Sequence, residues 1–164
     1  MSASPTLSPI DKLVQSYGDT LFDLCESLLW DPAQAQIAFR EVIQALKKSL
    51  PANGYIEHER AWVLRTACDR LKHLSLKNAR RITPTEQIQL DSTQGVSNRI
   101  KQFEFFFHRL SDDDQLVLLL RDKYGLPYSE IASALDAPEG SLKVRRGQAL
   151  RSLDEWLWDQ GGRA

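Results

Sequence analysis

Apolar residues recur at three- and four-residue spacing through most of this chain, the signature of amphipathic helices. The first run extends from Ile10 to Trp30, with Leu13, Val14, Tyr17, Leu21, Leu24, Cys25, Leu28 and Leu29 on one side despite Gly18. Asp31-Pro32 ends it. Proline suits the first turn of a helix, so a second helix is expected from Pro32 to about Leu50, burying Ala35, Phe39, Val42, Ile43 and Leu46. A third runs from about Glu57 to Leu76, places Ala61, Trp62, Leu64, Ala67, Cys68 and Leu71 inward, and continues into Arg80-Arg81. Residues 1–9 are rich in Ser and Pro and read as a disordered tail, and residues 82–97 hold no sustained period and read as a flexible linker. From Asn98 to Arg109 the period resumes, and Ile100, Phe103, Phe106, Phe107 and Leu110 form an aromatic face. Helical spacing argues that this face is core; the other reading is a stacking platform for single-stranded DNA. The pattern predicts an all-α chain of two small helical domains, 10–81 and 98–164.

The segment Leu110–Leu153 carries the most specific grammar. Ser111 stands where it caps three acidic residues against the positive end of a helix dipole, the block Leu116–Leu120 follows, and Gly125 ends the element near Tyr124. A short helix over Tyr128–Leu135 puts Ile131, Ala132 and Leu135 on one face, with Pro127 set for its entry and Ser129 as a candidate cap. Ala132 supplies the small side chain expected at a close helix crossing. After the turn Asp136-Ala137-Pro138-Glu139, a longer helix from Gly140 or Ser141 carries Lys143, Arg145, Arg146 and Arg151 opposite Leu142, Ala149, Leu150 and Leu153. A short helix bracing a basic one is helix-turn-helix organisation, in which cations neutralise phosphates and neighbouring side chains reach base edges. The plainer alternative is a three-helix packing unit whose basic face is merely solvated.

This segment resembles region 4 of an extracytoplasmic-function sigma factor, within the sigma-70 family of bacterial transcription initiation factors. Leu110, Val117–Arg121, Gly125, Leu126, Tyr128, Glu130, Ile131, Ala132, Leu135, Pro138, Gly140, Lys143, Arg145, Ala149 and Leu153 follow the family pattern in unbroken register. The resemblance implies a domain that reads the upstream, minus-thirty-five promoter element, with Ser141, Lys143 and Arg145 toward DNA; the cationic face of the helix adds Arg146 and Arg151 as candidate contacts. Asp136 stands where the family has a turn glycine, Arg146 where it has a buried Leu, and Gln148 and Leu150 where it has arginines.

The first three helices resemble sigma region 2 through the Asp31-Pro32-Ala33 turn, Glu41 and the run Arg60–Ala67, RAWVLRTA. That resemblance implies RNA polymerase core as a partner, its largest-subunit clamp meeting Gln34, Ile37 and Glu41 on the second helix. It also implies that Arg65, Arg70, Lys72, Lys77, Arg80 and Arg81 face the melted minus-ten strand. The second helix departs from the family: Gln34–Arg40 lacks the acidic residues that pair with basic groups on the clamp, and Glu41 alone keeps the expected charge.

Charge distribution sharpens this picture. The 164 residues carry a net charge of −1, against the expectation for a nucleic-acid binder. From Arg60 to Arg81, however, Asp69 is the one acidic residue, so the basic character is concentrated in a stripe. Cys25 and Cys68 lie in helical patterns without CxxC spacing and read as buried thiols in a reducing cytoplasm. His58, His73 and His108 are scattered, and no zinc-ligand spacing, P-loop or GxSxG motif is present, so neither enzyme nor cofactor is expected. No apolar run is long enough to cross a membrane. The expectation is therefore a cytoplasmic sigma factor without catalysis of its own, held by an anti-sigma partner. The alternative is a sigma-like regulator that lacks initiation activity and binds an anti-sigma protein or DNA only.

Overall fold

The computed structural model describes residues 6–29, 31–77 and 96–161, and among them the regular structure is entirely helical. Seven α-helices follow in order: α1 Pro9–Leu29, α2 Pro32–Ser49, α3 Glu59–Lys77, α4 Val96–Phe107, α5 Asp112–Leu118, α6 Tyr128–Leu135 and α7 Glu139–Gly161. Contacts divide the chain into two compact units, Met1–Leu74 with Ser133–Asp136, and Ser75–Ala132 with Ala137–Ala164.

In the first unit, α1 begins earlier than the apolar period indicates. The Ser8 hydroxyl accepts from the Asp11 backbone N–H at 3.3 Å, so Ser8 and Pro9 belong to the helix start and not to the tail. Asp31 caps α2 by accepting from Ala33 N–H at 2.9 Å, and Pro32 occupies the first turn as expected. α1 packs on α2. Leu13, Leu21, Leu24, Cys25 and Leu28 of α1, Ala35, Ala38, Val42 and Leu46 of α2, and Val63, Leu64, Ala67, Cys68, Leu71 and Leu74 of α3 are buried. Phe39, expected in the core, is half-buried and makes an edge contact with Phe22 at 5.5 Å between centroids. Ile43 and Trp62 are also half-buried rather than enclosed. Both cysteines are buried free thiols, and burial pushes the Cys25 thiol up to about 12.

In the second unit α4 and α5 both pack on α7. The aromatic face of α4 is rotated from its expected position: Phe105, Phe106 and Phe107 are buried, whereas Ile100 and Phe103 are 56% and 46% exposed. α4 stops at Phe107 and the chain tightens there, with Arg109 and Leu110 N–H donating three residues back to Phe106 and Phe107. Trp156 of α7 lies against Phe106 at 5.8 Å and under the Arg109 guanidinium at 4.9 Å, while Trp158 is exposed. Gln115 is a buried polar side chain that donates to the Leu110 carbonyl at 2.8 Å. The expected linker lies outside the described residues, apart from Val96 and Ser97 at the start of α4.

Candidate nucleic-acid interface

Ser111 caps α5 as its sequence position requires, accepting from Asp114 N–H at 3.2 Å and leaving Asp112, Asp113 and Asp114 in the first turn. α5 then widens into a π-helical turn over Leu119–Lys123, and the Tyr124 N–H donates to Leu119 O. Gly125 takes φ +69° with open space around its missing Cβ, so backbone handedness rather than crowding demands glycine there. Arg121 fastens this turn: its Nη1 donates to Leu126 O at 3.0 Å, and its guanidinium lies 4.6 Å from the Tyr128 ring centroid.

The Pro127 carbonyl, not Ser129, receives the first N–H groups of α6, from Glu130 and Ile131; Ser129 sits inside the first turn. Ile131, Ala134 and Leu135 are the buried residues of α6, and Ala132 is half-buried, so Ala134 rather than Ala132 is the small enclosed side chain. Asp136 then adopts φ +52°, the left-handed conformation that a turn glycine takes without strain. α7 starts at Glu139, with Leu142 N–H donating to Pro138 O, and buries Leu142, Ala149 and Leu153. Leu150, expected inward, is 38% exposed.

The cations of α7 are held in three different ways. Lys143 is exposed, with its Nζ 5.5 Å from the Tyr128 ring centroid. Arg145 Nη1 donates to Asp114 Oδ1 at 3.0 Å. Arg146 forms a two-pronged pair with Asp122, through Nη2 at 2.6 Å and Nε at 2.9 Å, and these hydrogen bonds push its guanidinium further above its ordinary value. Arg151 and Ser141 are exposed. Asp114, Asp122 and Tyr128 are thus participants that the cationic pattern alone does not identify. Beside α7 lies an open groove of about 550 Å³ lined by Asp114, Gly140, Ser141, Val144, Arg145 and Gln148.

The first unit separates residues that the sequence placed together. Arg65 and Lys72 are seven residues apart and so share a face of α3; Arg65 is exposed and Lys72 half-buried. Arg70 points elsewhere, toward α2, where its Nη2 and Nε donate to Glu41 Oε2 at 2.7 and 3.1 Å. Lys77 ends α3, whereas Arg80 and Arg81 lie outside the described residues. On α2, Gln34 and Glu41 are half-buried, and Ile37 is 48% exposed between them on one face.

No helix among the described residues is long and apolar enough to cross a membrane, and no cluster of His, Cys, Asp and Glu suited to a metal ion occurs there. Residues 102–153, from α4 through most of α7, match the family model for sigma-70, region 4. No curated protein matches the chain. Sigma-70 factors are non-enzymatic transcription regulators, and the match gives the segment a sigma-like, DNA-binding role in transcription rather than catalysis.

Proposed function

We propose that this chain is a cytoplasmic sigma factor of the extracytoplasmic-function type, which binds RNA polymerase core and directs it to promoters. The observation that carries the reading is the helix-turn-helix of α6 and α7, with Ser141, Lys143, Arg145, Arg146 and Arg151 displayed along α7 in the segment that matches region 4. In this reading α7 enters the major groove of the upstream element, its cations neutralising phosphates while shorter side chains meet base edges. The N-terminal unit docks on the polymerase clamp through the α2 face of Gln34, Ile37 and Glu41. The basic residues of and after α3, Arg65, Lys72, Lys77, Arg80 and Arg81, meet the melted strand. An anti-sigma protein would act by covering either surface.

A second reading has its own support. Arg70 occupies the Glu41 carboxylate, the one charge α2 retains for the clamp, which favours a sigma-like regulator that binds DNA or an anti-sigma protein without initiating transcription. Pull-down with RNA polymerase core, followed by transcription in vitro from a promoter library, separates the two. A sigma factor holds core and starts transcripts at defined sites; a chain that binds DNA but neither holds core nor starts transcripts is the regulator.

A further inference from the structure

The groove beside α7 has a composition suited to one kind of base pair. Ser141, Val144, Arg145 and Gln148 stand at spacings of three, four and seven residues, which aligns them on one face of the helix. Val144 is 61% exposed, an apolar β-branched side chain standing among cations on the side of α7 away from its buried residues Leu142, Ala149 and Leu153. It adds nothing to the core, and valine is a weaker helix former than the residues usual at exposed positions. Gln148 is exposed four residues further on and carries a donor and an acceptor on one planar amide. The guanidinium on this face, that of Arg145, is engaged by Asp114 at 3.0 Å, and that carboxylate lines the same groove.

In the major groove an apolar side chain recognises the thymine methyl group, a glutamine amide pairs with N6 and N7 of adenine, and a free arginine fork pairs with O6 and N7 of guanine. The first two groups are presented by this face, whereas the arginine fork on it is shared with Asp114. We propose that Val144 and Gln148 are specificity-determining residues that make this chain read A·T pairs in duplex DNA, Val144 on a thymine methyl and Gln148 on an adenine edge. The two residues are ~6 Å apart along the helix axis, roughly two base-pair steps. Lys143 and Arg151, exposed on the same helix, give the charge complementarity to the flanking phosphates. The inference rests on the DNA-binding reading above and specifies its ligand.

The test uses the full chain, alone and mixed with RNA polymerase core, in selection from randomised duplexes at low salt, followed by anisotropy titration of the selected sequence. Replacing the preferred thymidine by deoxyuridine, which lacks the C5 methyl, is expected to weaken wild-type binding about fourfold, the effect of one buried methyl-sized group, and to leave Val144→Ser, which replaces the apolar side chain by a polar one, unchanged. Gln148→Arg is expected to move the preference at the second position from adenine to guanine. Wild-type binding indifferent to deoxyuridine, or a preference unmoved in Gln148→Arg, overturns this inference while leaving DNA binding intact. Absence of binding to any duplex, with or without core, overturns the DNA-binding reading and this inference with it.

Discussion

Arg70 grips Glu41 across the first unit, its Nη2 at 2.7 Å and its Nε at 3.1 Å from the same carboxylate oxygen. Both side chains keep about a third of their surface exposed, so the pair contributes on the order of 0.5–1 kcal/mol to stability. It also competes with any external cation for Glu41. Arg70→Gln is therefore expected to tighten binding to RNA polymerase core roughly fivefold, while Glu41→Ala weakens it. Titration of labelled core with each variant decides the matter. Equal affinity for wild type and both variants removes Glu41 from the docking surface.

Two turns of the second helical segment adopt left-handed backbone, one with the residue type that suits it and one without. Gly125 sits at φ +69° and Asp136 at φ +52°. A side chain in this conformation costs about 1–2 kcal/mol, somewhat less for aspartate. Gly125→Ala should lower the unfolding free energy by about 1 kcal/mol or more, and Asp136→Gly should raise it by up to ~1 kcal/mol. Urea midpoints measure both. Opposite signs are the expected result; a loss of stability in Asp136→Gly would show that the aspartate side chain contributes more than its backbone strain costs.

Cys25 supplies a pH signature. Its thiol is pushed up to about 12 from an ordinary 9.0, chiefly by burial, so the folded state keeps the proton where the unfolded state loses it. The contribution is fully present below pH 9 and declines as pH rises from 9 toward 12, with a limiting slope of about 1.4 kcal/mol per pH unit for one group. Cys25→Ala should flatten the alkaline loss of stability across that window, whatever its absolute effect at neutral pH. Parallel curves for wild type and variant would mean that Cys25 is not retaining its proton.

The elements set by local chemistry were legible from the chain: the Asp31-Pro32 start of α2, the Ser111 cap and the Gly125 stop each depend on residues within one turn of each other. The ion pairs were not. Glu41 and Arg70 are 29 residues apart, Asp114 and Arg145 31, and Asp122 and Arg146 24, and such pairs depend on the rotational register between helices. A one-turn shift of helix packing would leave the same sequence pattern with different partners. The cationic face of α7 was therefore visible as a set of charges, but not the extent to which aspartates already hold them. Helical spacing alone does not say how far along α4 the partner helix reaches: Phe105, Phe106 and Phe107 at its end are buried, and Ile100 and Phe103 before them are exposed. Ala134 was recoverable, since a spacing of three and four from Ile131 reaches Ala134 and Leu135, not Ala132.

The aspartates that hold Arg145 and Arg146 have opposing effects on DNA binding. As tethers they orient the guanidinium groups; as charges they neutralise them and repel phosphate. The side chains of Arg146 and Asp122 are 33% and 41% exposed, and those of Arg145 and Asp114 41% and 24%. Pairs this open are screened by solvent and contribute at most about 1 kcal/mol, so the tethers yield readily to a phosphate and the charge effect dominates. Asp122→Asn and Asp114→Asn are therefore expected to raise DNA affinity at low salt. Each should also steepen the dependence of log K on log salt by up to ~0.9 when the released arginine takes a phosphate. Lys143→Ala and Arg151→Ala should shift the slope the other way by a similar amount. The measurement is anisotropy of the full chain on one duplex from about 50 to 200 mM salt, with circular dichroism to confirm that each variant is folded. Weaker binding and a shallower slope in folded Asp122→Asn would show that Arg146 works through its tether, placing the Asp122–Arg146 pair among the features that shape the reading face.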